Sequence, residues 1–209
     1  MRAQMQIQTN DVLLVIDVQN DFCPGGALAV GEGDAVVPVI NALTERFDHV
    51  VLTQDWHPAG HSSFASVHSG SAPFEVITMP YGPQVLWPDH CVQGTVGAAF
   101  HAKLVADRAQ LVIRKGFRGA IDSYSAFYEN DRRTSTGLAG YLRERGLKRI
   151  FLAGLATDYC VYYSALDARR EGFEAVVIEA GSRGIDLAGS LAAAWSAMAE
   201  AGVQRVGDL

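Results

Sequence analysis

Cys160 in GLATDYCVYY, Asp17 in VLLVIDVQNDF and Lys115 in VIRKGF put a thiol, a carboxylate and an amine at or just past the ends of three apolar runs. A thiol beside a proton carrier and a cation is an arrangement for attack on an amide carbon. Asp17 would accept the thiol proton from Cys160 and later hand it to the departing amine. Lys115 would hold the Asp17 carboxylate in place and support the thiolate by its charge. Backbone N–H groups near Ala156 and Cys160 could form the oxyanion hole. Taken singly, each residue has a plainer reading: Cys160 as a small buried hydrophobe, Asp17 as a turn cap, Lys115 as a cation reaching solvent. Capping by Thr157 or Asp158 would put Cys160 in the first turn of a helix, where backbone amides and the helix dipole favour a thiolate.

A second constellation lies in TQDWHPAGHSSF and LWPDHC. Asp55 and His57 are two apart, so both side chains share one side of an extended segment, as paired metal ligands require. His90 arrives from the second stretch as a third ligand. One divalent ion is expected, with zinc first, although carboxylate plus imidazole does not itself choose between zinc, manganese and iron. His61 is left as a further ligand or a group behind the ligands. Cys91, beside His90, is expected to pack, because adjacent residues of an extended segment point opposite ways. Cys23 has no assigned role.

The elements that must position these groups read as alternating strands and helices, which implies a parallel sheet covered by helices. Strands are expected at 12–18, 49–54, 110–115, 149–154, 174–179 and 203–206, apolar enough to be buried on both faces. Helical spacing joins Val36, Ile40, Leu43 and Phe47, and later Leu191, Trp195 and Met198, with Ser190 as a cap. Two more helices should close at Gly146 and Gly172. From Asp55 to about Arg108 no strand is expected, and this proline-rich stretch with His57, His61, His68 and His90 reads as an active-site lobe. In such a sheet, ligands bind beyond the carboxyl ends of the strands, where strand order reverses. Asp17, Asp55, Lys115 and Cys160 all fall at that edge.

The 209 residues, 49% of them hydrophobic, suit a single domain spanning 1–209. A net charge of −6 gives no footprint for nucleic acid or an anionic membrane. The apolar run Val12 to Ile16 is too short for a signal peptide or a membrane span. Three cysteines at irregular positions do not read as a disulfide framework, and a reducing cytoplasm fits. A small-molecule substrate is the default, and homo-oligomerisation stays open.

From LLVIDVQNDFCPGGALAV through VLTQDWHPAGHSSF, LWPDHCVQGT, IRKGF and GLATDYCV to EAGSRGIDLAGSLAAAWSAMAEAGV, the chain resembles the nicotinamidase/pyrazinamidase group of the isochorismatase-like cysteine hydrolases. The resemblance implies a three-layer α/β/α fold with a doubly wound, six-stranded parallel sheet. It implies Asp17, Lys115 and Cys160 as catalytic triad and Asp55, His57 and His90 as metal ligands. Phe22, Trp87 and Tyr124 match the aromatic walls of the substrate pocket, and Tyr159 beside the nucleophile is expected to face it. The implied reaction converts nicotinamide and water to nicotinate and ammonia through a thioester, in NAD salvage, with pyrazinamide as an alternative substrate. The ion would bind the pyridine nitrogen. A cis peptide is implied just before the nucleophile turn, here at Ala156–Thr157. Relatives that cleave N-carbamoyl amides or isochorismate are the competing reading, against which the aspartate–histidine set argues. A catalytically silent binding protein of similar topology is a further alternative, and the triad argues against it.

Overall fold

The computed structural model describes residues 5–209. Strands β1 (Asp11–Ile16), β2 (Val50–Asp55), β5 (Leu111–Lys115), β6 (Arg149–Leu155), β7 (Glu174–Arg183) and β8 (Gln204–Val206) form one six-stranded sheet in the order β5-β2-β1-β6-β7-β8. All its pairings are parallel. The chain leaves β1 toward β2 and β5, then returns to β6 on the other side of β1. Strand order therefore reverses between β1 and β6, where a ligand crevice is expected.

Burial on both faces explains the apolar inner strands β1, β2 and β6, whereas the edge strands β5 and β8 are partly exposed, contrary to expectation. Leu13 and Val15 of β1 pack with Val36, Ile40 and Leu43 of α1 (Val36–Thr44). Val12, Leu14 and Ile16 pack the opposite way, with residues of α2 (Leu138–Glu144), α3 (Tyr162–Arg170) and α4 (Ser190–Glu200). Each fully buried aliphatic side chain contributes about 1.5–3 kcal/mol, so this sandwich fixes the strand ends firmly. α2 and α3 close at Gly146 and Gly172, as the sequence implies.

Several details differ from expectation. The lobe between β2 and β5 holds an antiparallel hairpin, β3 (Val76–Met79) and β4 (Gly82–Val85). Its alternation is interrupted by prolines on either side and by Pro83 within it, which hid it. β1 ends at Ile16 rather than Val18, because Asp17 turns out of the strand with φ +46°. The cis peptide is Leu155–Ala156, not Ala156–Thr157. Ala156 O already accepts the N–H groups of Tyr159 and Val161, so the helical turn Thr157–Val161 begins one residue earlier than the sequence suggested. Neither Thr157 nor Asp158 caps that turn, and Ser190 does not cap α4. The Asp158 carboxylate instead accepts from Ile185 N, Asp186 N and the Ser190 hydroxyl, tying the nucleophile turn to the segment before α4.

Candidate active site

Asp17, Asp55, Lys115 and Cys160 meet at the carboxyl edge of the sheet, delivered by β1, β2, β5 and the turn after β6. All are buried, Cys160 the least at 8% exposure. Lys115 is the hub. Its Nζ lies 2.8 Å from Asp17 Oδ2 and 3.1 Å from Asp55 Oδ1, donates to Ser123 O at 2.9 Å, and stands 3.5 Å from Cys160 Sγ. Thr53 steadies Asp17: its hydroxyl donates to Oδ1 at 2.6 Å and accepts the Asp17 N–H at 3.1 Å. Asp17 Oδ2 has an ammonium beside it but no well-aligned hydrogen-bond donor, which leaves its lone pairs open to a proton.

The electrostatics follow from burial and these neighbours. Burial pushes the Cys160 thiol well above its ordinary range, against the pull of Lys115, and Asp17 and Asp55 push it further. Burial and the two carboxylates thus oppose the thiolate, which suits a nucleophile that gives its proton to Asp17 as it attacks. Burial also raises Asp17 above the usual carboxylate value, opposed by Lys115 and reinforced by Asp55. Burial alone would lower Lys115, but Asp17 and Asp55 hold it well above its ordinary value. Asp55 is desolvated too, yet His57 and Lys115 keep it well below the usual range.

Asp55 faces two ways. While Oδ1 takes Lys115, Oδ2 lies 2.9 Å from His57 Nε2 and 3.3 Å from His90 Nε2. The other nitrogen of each ring donates to a backbone carbonyl: His57 Nδ1 to Gly116 O at 2.9 Å, His90 Nδ1 to Pro88 O at 2.8 Å. This pattern fixes the tautomer and aims both Nε2 lone pairs at one point beside a carboxylate, the arrangement that surrounds a metal. Gly116 makes room for it, since a Cβ there would come within 2.5 Å of His57 Cε1.

His61 stacks on His57 with ring centroids 4.4 Å apart. Its Nδ1 accepts from Ser63 N, and its Nε2 donates toward Arg118 O and Ile121 O, so both nitrogens are engaged. Cys91 is fully buried among apolar neighbours, and Cys23 is buried as a free thiol.

A pocket opens onto these groups, lined by Asp55, His90, Cys160 and Ala156 together with all four aromatic residues the sequence named. Phe22 meets His90 at 5.5 Å, and Trp87 meets Tyr159 at 4.9 Å, both between ring centroids. The indole N–H of Trp87 donates to Tyr124 Oη at 3.1 Å, which holds two walls together. Leu28, Ile185 and Asp122 also line the pocket and were not foreseen. Asp122 Oδ1 is 3.9 Å from His57 Nε2, and Gln84 of β4 donates to its Oδ2 at 2.8 Å. No spacing in the sequence marks Asp122, because it reaches the site from a turn after β5.

A family model described as an isochorismatase domain matches residues 11–207. A nicotinamidase of Acinetobacter baylyi is 54% identical over 206 residues, covering 99% of this chain and 96% of the relative. A solved nicotinamidase/pyrazinamidase of Acinetobacter baumanii superposes with a TM-score of 0.95 at 55% identity, covering 96% of this chain and 97% of the other. The pyrazinamidase of Pyrococcus horikoshii, solved in complex with zinc, gives a TM-score of 0.77 at 35% identity over 94% of this chain and 98% of its own.

Proposed function

We propose that this chain, which belongs to the isochorismatase family, hydrolyses nicotinamide to nicotinate and ammonia through a thioester on Cys160, and pyrazinamide likewise. One observation carries the reading. The Lys115 ammonium touches the thiol, Asp17 and Asp55 at once, and Asp55 is shared with His57 and His90. Cys160, Asp55 and His90 open together on one aromatic-walled pocket. The names of the similar proteins support the same chemistry.

Asp55, His57 and His90 would hold one divalent ion, with zinc the first choice. The donor set fits: one carboxylate and two neutral imidazoles, each oriented by a backbone carbonyl. Charge fits as well. Asp17, Asp55 and Asp122 are three buried acids at the site, and the Lys115 ammonium pairs with only the first two. When bound, the ion supplies a Lewis-acid position for the pyridine nitrogen, which fixes the ring relative to the thiol.

The protein's own groups carry the reaction. The Cys160 thiol proton moves to Asp17 Oδ2 as Sγ attacks the carboxamide carbon, so charge never has to build on an isolated thiolate. Amides at Ala156 and Cys160 take the developing oxyanion. Asp17 returns the proton to the departing nitrogen, releasing ammonia and leaving the thioester. The same carboxylate then draws a proton from water, which attacks the thioester and frees nicotinate and the thiol. Such an activity belongs to NAD salvage, and three unpaired thiols accord with a reducing cytoplasm.

Ammonia release should be measured across a panel of nicotinamide, pyrazinamide, an N-carbamoyl amine and a linear aliphatic amide. Fast turnover of the two ring amides, abolished in Cys160→Ala with the fold retained, is the expected result. Undiminished ammonia release in Cys160→Ala, or preference for the N-carbamoyl compound, would overturn the proposal.

A further inference from the structure

Asp55 carries both halves of the site, yet its backbone lies beyond the end of the strand that should support it. Alternate residues of a strand turn their N–H and C=O groups to the same side. His49 O accepts from Leu13 N, so His49, Val51, Thr53 and Asp55 face β1. β1 pairs with β2 only from Leu13↔Val50 to Val15↔Leu52, and its chain turns away at Asp17. The Asp55 backbone is therefore left without a strand partner on that side. A buried, unpaired peptide group is strongly unfavourable.

The Gln19 side chain fills that place. Its Oε1 accepts the Asp55 N–H at 2.8 Å, and its Nε2 donates to Asp55 O, also at 2.8 Å. A carboxamide has the same donor and acceptor pair as a peptide, so it continues the β1 edge as a side chain. Nε2 also donates to Ala98 O at 2.9 Å and lies 3.4 Å from Cys91 Sγ, next to His90. Gln19 is wholly buried, and its neighbours are anchored through Asn20 N to Ala99 O and Asp21 N to Gly97 O. Asp21 Oδ2 accepts the Cys91 N–H at 2.7 Å, which fixes the segment of His90 from the same turn.

We infer that Gln19 is a positioning residue for the metal centre: its carboxamide replaces the missing β1 partner and sets where the Asp55 carboxylate stands relative to His57 and His90. The inference rests on the proposed metal set. It links Asp17 and Asp55 through one turn, so the proton carrier and the ligand are placed by neighbouring residues of the same segment.

Cobalt(II), titrated into metal-free protein and followed through its visible absorption bands, provides the test. Gln19→Ala should weaken cobalt affinity by roughly 10–100-fold, the range seen when groups behind metal ligands are removed. It should also change the band positions, while iodoacetamide modifies Cys160 in the metal-free protein at an unchanged rate. Gln19→Met keeps the volume without the amide and should behave alike, which covers the case in which the alanine variant does not fold. Wild-type affinity and wild-type bands in a folded variant would overturn the inference and leave the metal set standing. A wild-type protein that takes up no cobalt would instead refute the metal set itself.

Discussion

Replacing Lys115 with methionine should be the most damaging isosteric change in the site, and its size can be worked from two distances. At 2.8 Å from Asp17 and 3.1 Å from Asp55, Coulomb attraction is about 6 and about 5 kcal/mol at an effective dielectric of about 20. The desolvation of a buried ammonium offsets much of that, and removing one partner of a buried pair typically leaves a net loss of about 3–5 kcal/mol. In a chain of this size that lowers the melting temperature by roughly 6–20 °C. The pH dependence gives a sharper check. In the wild type, Asp55 sits well below its unfolded value, so its stabilisation is present above that value and lost as pH falls through the folded one. Without the ammonium, Asp17 would titrate further above its unfolded value of about 3.9, while Asp55 would lose one of the groups that lower it and keep His57. At Asp17 the folded variant then binds more protons than its unfolded chain, and that penalty is complete above the raised value and fades as pH falls toward about 4. Urea unfolding of both metal-free proteins at pH 7 and pH 5 measures the difference. A deficit under about 1 kcal/mol at pH 7, or one that widens on acidification, would refute Lys115 as the counter-ion of both carboxylates.

Three further outcomes follow from the same geometry. Alkylation of Cys160 by iodoacetamide should be slow at neutral pH and rise beyond pH 9, because burial holds the thiol protonated; a rate already at its plateau at pH 7 would contradict that. The acid limb of kcat/KM should lie above the ordinary carboxylate value of 3.8, since Asp17 must be ionised to take the thiol proton and is itself raised; a profile flat down to pH 4 would remove Asp17 from that role. Gly116→Ala places a Cβ 2.5 Å from His57 Cε1 at φ +67°, where a non-glycine residue bears about 1–2 kcal/mol of strain. Metal retained after dialysis should fall in this variant, and full retention would show that the His57 ring has room to spare.

The parallel sheet and its strand ends were legible because both depend on local signals. Six apolar runs mark the strands, of which β1, β2 and β6 are buried on both faces while the edge strands β5 and β8 stay partly exposed. A polar residue at the end of each site-bearing run marks the edge where ligands sit. Asp17, Asp55, Lys115 and Cys160 could be placed together from topology alone, before any distance was known. What stayed hidden depends on partners distant in sequence. The hairpin β3–β4 owes its existence to its own pairing in a stretch that prolines disguise. Asp122 reaches the pocket through a turn whose path no periodicity encodes, held there by Gln84 from the hairpin. The forces on the Cys160 thiol are hidden for a related reason. A helix-start position favours a thiolate, whereas burial and two carboxylates oppose it, and those carboxylates come from other strands. Gln19 is the clearest case: in sequence it is a polar residue two places after Asp17, and its role exists only because β1 stops before Asp55 does. Residues that perform chemistry announce themselves by type, whereas residues that hold them are defined by the backbone groups left unpaired around them.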